Sequence, residues 1–320
     1  MKKPFLQVAV LNRHVFCFFV ICCLLGGSGC LYKESVPTEA NLINLLPISR
    51  SSLDFFSYDL RSSLLIPYLT DFGELTIGTN IASHFQSISF SIPLPGMVPQ
   101  AVVLEAVGQS LSSGRSDIRI KLNEQDLGMM IVKPSPRRKV FHLDTVDWNS
   151  LINTLRIETD HPDVVVEVIN IWLVPGSDFD YTTLEPGNSF TGYAMVRERS
   201  GFFETLYLPP DSNVEFPVHL PSSSAFFKTE LRTYPQGQSD VTITLTTASA
   251  FKTEPPLTIS IPIPASQKNW IPLEWNLSER AGRYAILKIE NSGNTAIILS
   301  GPVLKSQSTQ IYTTGLLKIM

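Results

Sequence analysis

Hydrophobic positions in this chain recur mostly with a period of two. Within Asp117–Leu122, Ile118, Ile120 and Leu122 fall on one side and Asp117, Arg119 and Lys121 on the other, which is the spacing of a strand with one buried face. Phe85–Leu94 alternates in the same way, with Ile88, Phe90, Ile92 and Leu94 against Ser87, Ser89 and Ser91, and Pro93 and Pro95 close it. Further strands are predicted over Ala101–Val107, Lys139–Leu143, Thr154–Glu158 and Val164–Val174, with polar turns between them such as Asn123–Gly128. Short strands at this spacing predict an all-β sandwich.

The same pieces return later in the same order. Ser91–Pro95 (SIPLP) is answered by Pro217–Pro221 (PVHLP), Ser116–Leu122 (SDIRIKL) by Ser239–Leu245 (SDVTITL), and Leu155–Thr159 (LRIET) by Leu287–Asn291 (LKIEN). The offsets of 126, 123 and 132 residues differ only by loop lengths, as expected when a unit is duplicated and its loops then diverge. The expected organisation is a leader over 1–29, a tether and lead-in over 30–80, a first sandwich over 81–175, a linker over 176–201, a second sandwich over 202–305 and a tail over 306–320. In the lead-in, a short helix is expected around Asn41–Leu46, and the Leu-rich pieces are expected to lie on the first sandwich. The apolar tail is expected to pair with a sheet edge.

All four cysteines, Cys17, Cys22, Cys23 and Cys30, lie in the first thirty residues, so the body must be stabilised by packing without disulfides or thiolate metal sites. Lys2, Lys3 and Arg13 precede an apolar run over Val15–Leu25, followed by Gly26, Gly27, Ser28 and Gly29. A basic start, a short apolar run and small residues predict a cleaved export signal. The ending GGSGC resembles a bacterial lipobox, with Gly27 where that motif usually has Leu. The resemblance implies lipidation of Cys30 and, with Leu31 next, sorting to the outer membrane of a Gram-negative cell. Cleavage removes three of the 25 basic residues and none of the 29 acidic ones, leaving a net charge of −7, which argues against nucleic acid as a partner.

Asn123 with Leu127 and Gly128, and Asn153 with Leu155 and Ile157, resemble two short motifs of galactose-binding-like, jelly-roll β-sandwiches, a group that includes many carbohydrate-binding modules. The resemblance spans about one domain. It implies two tandem jelly-roll-like sandwiches and makes a glycan, or an envelope protein, the expected partner. Sugar rings stack on aromatic faces and their hydroxyls take hydrogen bonds from Arg, Asn and Gln. The loop residues with that chemistry are Arg115, Asn123, Gln125, Arg137, Arg138 and Trp148 in the first sandwich, and Tyr234, Gln236, Trp270 and Trp275 in the second. The tryptophans serve packing equally well.

Chemistry beyond binding has little support. The five histidines form no zinc motif, and no nucleophile elbow or phosphate loop occurs. His142 and His219 read as solvent-facing strand residues. Glycoside hydrolysis needs two carboxylates, for which Glu105, Asp117, Asp144 and Glu158 are the candidates. No cofactor is expected, although Asp178 and Asp180 offer oxygen to a structural calcium ion. The expected function is a non-catalytic, lipid-anchored envelope protein that binds a glycan or an envelope partner. The alternatives are an assembly lipoprotein contacting only proteins and a carbohydrate-active enzyme.

Overall fold

The computed structural model describes residues 39–53, 55–72, 87–92, 98–110, 116–143, 153–159, 164–176, 179–198, 201–247 and 254–306. The expectations for the leader, Cys30, Arg115, Asp144, Trp148, Asp178 and the tail after Ser306 lie outside them. Pro37–Met320 forms one compact unit.

In chain order its elements are β1 (Glu39–Asn41), the 3-10 helix η1 (Leu42–Ile48), β2 (Arg50–Ser51), β3 (Phe56–Asp59), η2 (Ser63–Tyr68), β4 (Leu69–Phe72), β5 (Ser87–Ile92), β6 (Ala101–Ser110), β7 (Asp117–Leu122), β8 (Gln125–Ile131), β9 (Arg137–His142), β10 (Asn153–Glu158) and β11 (Val164–Val174). There follow η3 (Tyr181–Thr183), β12 (Gly192–Glu198), β13 (Gly201–Leu208), β14 (Ser212–His219), β15 (Ala225–Thr233), β16 (Ser239–Thr247), β17 (Leu257–Ile263), β18 (Ile271–Asn276), η4 (Ser278–Arg280), β19 (Tyr284–Asn291) and β20 (Ile297–Ser306). The molecule is all-β, and every strand pairing among the described residues is antiparallel.

The strands form two sandwiches of one design. The front sheet of the first runs β4-β5-β10-β7-β8 and that of the second β2-β14-β19-β16-β17. The back sheets run β3-β11-β6-β9 and β12-β13-β20-β15-β18, with β1 added beside β20. The registers correspond residue by residue. Leu155 faces Leu122 and Phe90 in the first front sheet, and Leu287 faces Leu245 and Phe216 in the second. Those pairs carry the offsets of 132, 123 and 126 residues found in the sequence. Alternation puts Ile118, Ile120, Leu122, Leu155 and Ile157 into the first core and Val241, Ile243, Leu245, Leu287 and Ile289 into the second, all at most 1% exposed.

The lead-in does not sit where the sequence suggests. Asn41 caps η1 by accepting a hydrogen bond from the Ile43 amide, and Leu42, fully buried, enters the core of the second sandwich. On either side of η1, β1 pairs with β20 and β2 with β14. Only the later pieces, β3, η2 and β4, belong to the first sandwich. The first sandwich is therefore inserted between two parts of the second. The reason is pairing: β1 lies beside the part of β20 that runs past β13, β2 lies on β14, and the first sandwich already has β3 and β4 at the ends of its sheets.

The two sandwiches share one buried surface. Phe190, Ala194, Val196, Tyr207, Ala296 and Ile298 of the second join the hydrophobic cluster of the first. Aromatic rings step across it: Phe90 to Tyr58 at 5.1 Å, Tyr58 to Phe190 at 5.4 Å and Phe190 to Tyr207 at 4.8 Å between centroids. Burial pushes the phenols of Tyr58, Tyr68 and Tyr207 well above their ordinary ionisation range.

Candidate functional site

The residues singled out for ligand binding do not gather in one place. Asn123 and Glu124, at φ 49° and 66°, form the two-residue turn joining β7 to β8, the left-handed pair a tight hairpin demands. The Asn123 side chain is engaged in the fold: its Nδ2 donates to Asn153 Oδ1 at 2.8 Å and its Oδ1 accepts from the Thr154 amide at 3.0 Å. The two asparagines of the motif thus latch the hairpin to β10. Gln125 begins β8 opposite Leu122 and is half-buried. Arg137, Arg138 and Lys139, a basic cluster, begin β9 at the far end of β8, whose seven residues span roughly 20 Å, so the hairpin tip and this cluster occupy opposite ends of the sandwich.

The basic cluster divides into three roles. Arg138 reaches over the outer face of the back sheet, where its Nε donates to Glu105 Oε1 at 3.0 Å, its Nη1 donates to the Leu184 carbonyl at 2.8 Å, and its guanidinium lies 4.7 Å from the Trp172 ring centre. Asn170 completes the clamp by donating to Glu105 Oε2 at 2.7 Å. Lys139 donates to the Met129 carbonyl on β8 and so covers a polar group of an edge strand. Arg137 remains exposed. In the second sandwich, Tyr234 and Trp270 pack against the shared cluster, Arg232 lies 4.6 Å from the Trp270 ring centre, and Trp275 packs on the second core. Gln236 donates to the Ala265 carbonyl.

The carboxylates considered for catalysis are apart as well. Glu105 faces outward from the back sheet of the first sandwich, whereas Glu158 faces outward from the front sheet, where Lys121 (2.5 Å) and Arg156 (3.3 Å) hold it. A sandwich about 10 Å thick separates them. Asp117 is 9% exposed at the start of β7, and its carbonyl accepts from the Thr159 hydroxyl. Asp180 caps η3, accepting from the amide and hydroxyl of Thr182 at 2.9 and 2.6 Å; these bonds lower its carboxyl below the ordinary range.

Arg138 does help to build one concave feature. Residues 179–190 lie across the outer face of the first back sheet and are pinned there. Trp172 Nε1 donates to the Glu185 carbonyl at 3.1 Å, the Ser57 hydroxyl to the Gly187 carbonyl at 2.5 Å, and the Asp59 amide to Asn188 Oδ1 at 3.0 Å. The Ser57 and Ser189 backbones exchange bonds of 2.8 and 2.9 Å. Between this segment and β3 lies a cleft of about 420 Å³, lined by Phe55, Ser57, Phe179 and residues 183–189. The rings of Phe55 and Phe179 stand 6.1 Å apart at 52°, both half-buried, with Tyr181 6.2 Å beyond Phe179. At the rim the Glu185 side chain is exposed. The reading of 176–201 as a linker hid this site. Its signal was Phe179 and Tyr181, two of the four aromatic residues in that stretch, set among Gly, Pro and acidic residues.

No protein-family model and no curated protein matches the chain. Among solved structures it is similar to the CBM22-1–CBM22-2 tandem domain of Paenibacillus barcinonensis Xyn10C, with 10% identity over 81% of this chain and 98% of that one and a TM-score of 0.26. It is also similar to a Paenibacillus xanthan lyase (14% identity, 76% of this chain and 26% of that one, TM-score 0.25). A third is the M60 catalytic domain with CBM51-1 and CBM51-2 from Clostridium perfringens ZmpB (10% identity, 85% and 39%, TM-score 0.24). The chain spans about a quarter of the second structure and two fifths of the third. These values carry no inference about ligand or reaction.

Proposed function

We propose that the protein is exported, held at the outer membrane through lipid on Cys30, and binds a glycan without catalysis in the cleft between Phe55 and Phe179. The observation that carries the binding reading is the cleft itself. Two half-buried aromatic rings offer apolar faces on which a sugar ring stacks, and the exposed Glu185 carboxylate at the rim accepts from hydroxyls. Its wall is preorganised, because Trp172, Ser57 and Asp59 hold the backbone and side chains of residues 185–188 before any ligand arrives. The non-catalytic reading is supported by Glu105 and Glu158, each committed to a cation and on opposite sides of the sandwich. The export reading rests on the leader and on the GGSGC ending.

The test uses residues 31–320, which contain the compact unit, in calorimetric titrations with envelope polysaccharides. Saturable binding that weakens about tenfold in Phe55→Ala and in Phe179→Ala, with the native circular dichroism retained, is the expected result. Failure to bind any polysaccharide, or binding indifferent to both changes, removes the glycan and leaves an assembly lipoprotein that contacts only proteins. Mass spectrometry of the mature N-terminus tests the lipid on Cys30 separately.

A further inference from the structure

The front sheet of the second sandwich turns an open face outward, and the registers map it. Crossing from β17 to β14, one row reads Ser260, Thr242, Glu290, Asn213 and the next Thr258, Thr244, Lys288, Glu215, with Arg50 of β2 beside Glu215. These rows are polar and internally paired: Thr242 with Ser260 at 3.3 Å, Lys288 with Glu290 at 2.6 Å. The character then changes. The next row holds Thr246, Ile286 and Pro217, and the last Tyr284 and His219, whose rings lie 4.4 Å apart. Ile48, at the end of η1, stands two residues before β2, which pairs with β14 at the edge of this sheet. Ile48 is 58% exposed, Tyr284 69% and Ile286 41%. Tyr284 and Ile286, two of the seven large apolar side chains exposed among the described residues, thus fall at one end of one sheet, and Ile48, a third, lies just before the strand at its edge.

We infer that this patch is a bilayer-docking surface, and that it rests against the membrane holding the lipid anchor; this rests on the reading of Cys30 as lipidated. The chain itself points to that occupant. Eight residues, 31–38, separate Cys30 from β1 and extend to at most about 28 Å. Nine residues after β1 begins, the strap reaches Ile48, beside the edge of the same sheet. The segment that follows the anchor therefore supplies part of the surface. Its composition fits as well: isoleucine and proline bury at the headgroup boundary, and a tyrosine ring sits there with its hydroxyl in water. The surface is a flat sheet without the enclosed polar groups a small ligand needs. Arg50 faces Glu215, Lys288 meets Glu290, and Arg283 meets Glu254 at 2.5 Å, so docking is apolar and depends little on anionic lipid. Such a patch adds a second hold to acyl chains and fixes which side of the body faces the bilayer.

The lack of any cysteine after Cys30 gives a clean experiment. Mature protein carrying Ile286→Cys or, as a control in the cleft, Thr183→Cys is labelled with an environment-sensitive dye and reconstituted in vesicles of phosphatidylethanolamine and phosphatidylglycerol. A lipid-borne quencher is expected to dim the label at position 286 strongly and that at position 183 hardly at all. Equal quenching at the two positions, or shielding of position 286 only when an envelope protein or glycan is added, overturns the proposal. In parallel, unlipidated residues 31–320 are expected to co-sediment weakly with the same vesicles, and Ile48→Ser with Ile286→Ser to lower that partition about tenfold at any salt concentration. Sedimentation unchanged in the double variant also overturns it. Cys30 without lipid, combined with vesicle binding by the soluble body, would sink the anchor and keep the patch. Lipid on Cys30 with no quenching at position 286 would do the reverse.

Discussion

The two sandwiches share a strand order and an inner register but cover their outer faces in different ways. The first back sheet is roofed by its own linker, with Trp172, Val103 and Leu184 forming a small second cluster beneath residues 179–190. The second back sheet is roofed by the first sandwich, and its open side is closed by a strap from the far end of the sequence. After duplication the inner faces had to keep their alternation, since a slip of one residue would turn every core side chain to solvent. The outer faces were under no such constraint. One became a cleft, one a domain interface and one an exposed sheet.

Changing the strap tests this contrast most severely. Leu42→Ala is expected to cost about 3 kcal/mol and to lower the urea midpoint of the whole unit, because the side chain is fully buried in the second core. A change below ~0.5 kcal/mol would mean that the second sandwich closes without its strap.

The clamp under the linker comes next. Arg138→Ala leaves the Glu105 carboxylate with Asn170 but no cation, and takes the arginine donor from the Leu184 carbonyl; it is expected to cost about 2 kcal/mol in denaturant titrations, reduced by the partial exposure of the pair. Arg137→Ala, its neighbour, is expected to fall within about 0.5 kcal/mol of the parent. Equal effects would erase the distinction between the two arginines.

The shared interface has its own signature in alkali. Tyr58, Tyr68 and Tyr207 have raised folded-state ionisation, so the folded chain keeps protons that the unfolded chain releases. Stability should hold below the ordinary phenol value of 10.0 and fall above it, by about 4 kcal/mol per pH unit if all three remain protonated. Absorbance at alkaline pH should show these phenols titrating only on unfolding. Early titration would mean that the sandwiches separate.

The smallest effect belongs to the linker cap. Asp180 is depressed by its Thr182 hydrogen bonds, so its contribution is present above the ordinary carboxylate range and lost as pH falls below it. The protection of the Thr182 amide relative to its intrinsic exchange rate should fall in acid, and Asp180→Ala should show the low protection at neutral pH.

Much of the fold can be read from the residues. SDIRIKL and SDVTITL occupy equivalent strands, and the offsets between copies are those of facing residues in the sheets. The candidate sites were harder to read. Asn123 and Arg138 have the chemistry of ligand residues, yet their hydrogen bonds are spent on the hairpin latch and the linker clamp. Tyr234 and Trp270 are spent on the interface. Tyr284 and Ile286 do leave a signal in the sequence: in YAILKIEN they share the polar side of the strand with Lys288 and Glu290, where large apolar residues are out of place.

By itself the sequence determined the all-β class, the inner face of each strand and the doubled order, because these follow from local alternation and turn residues. Only the tertiary structure decided that the lead-in belongs to the second sandwich, which outer faces are covered, and which Arg and Asn side chains already have partners. Those outcomes depend on contacts between segments distant in the sequence, from Asn123 with Asn153 to Asn41 with Val303, and no local pattern records them.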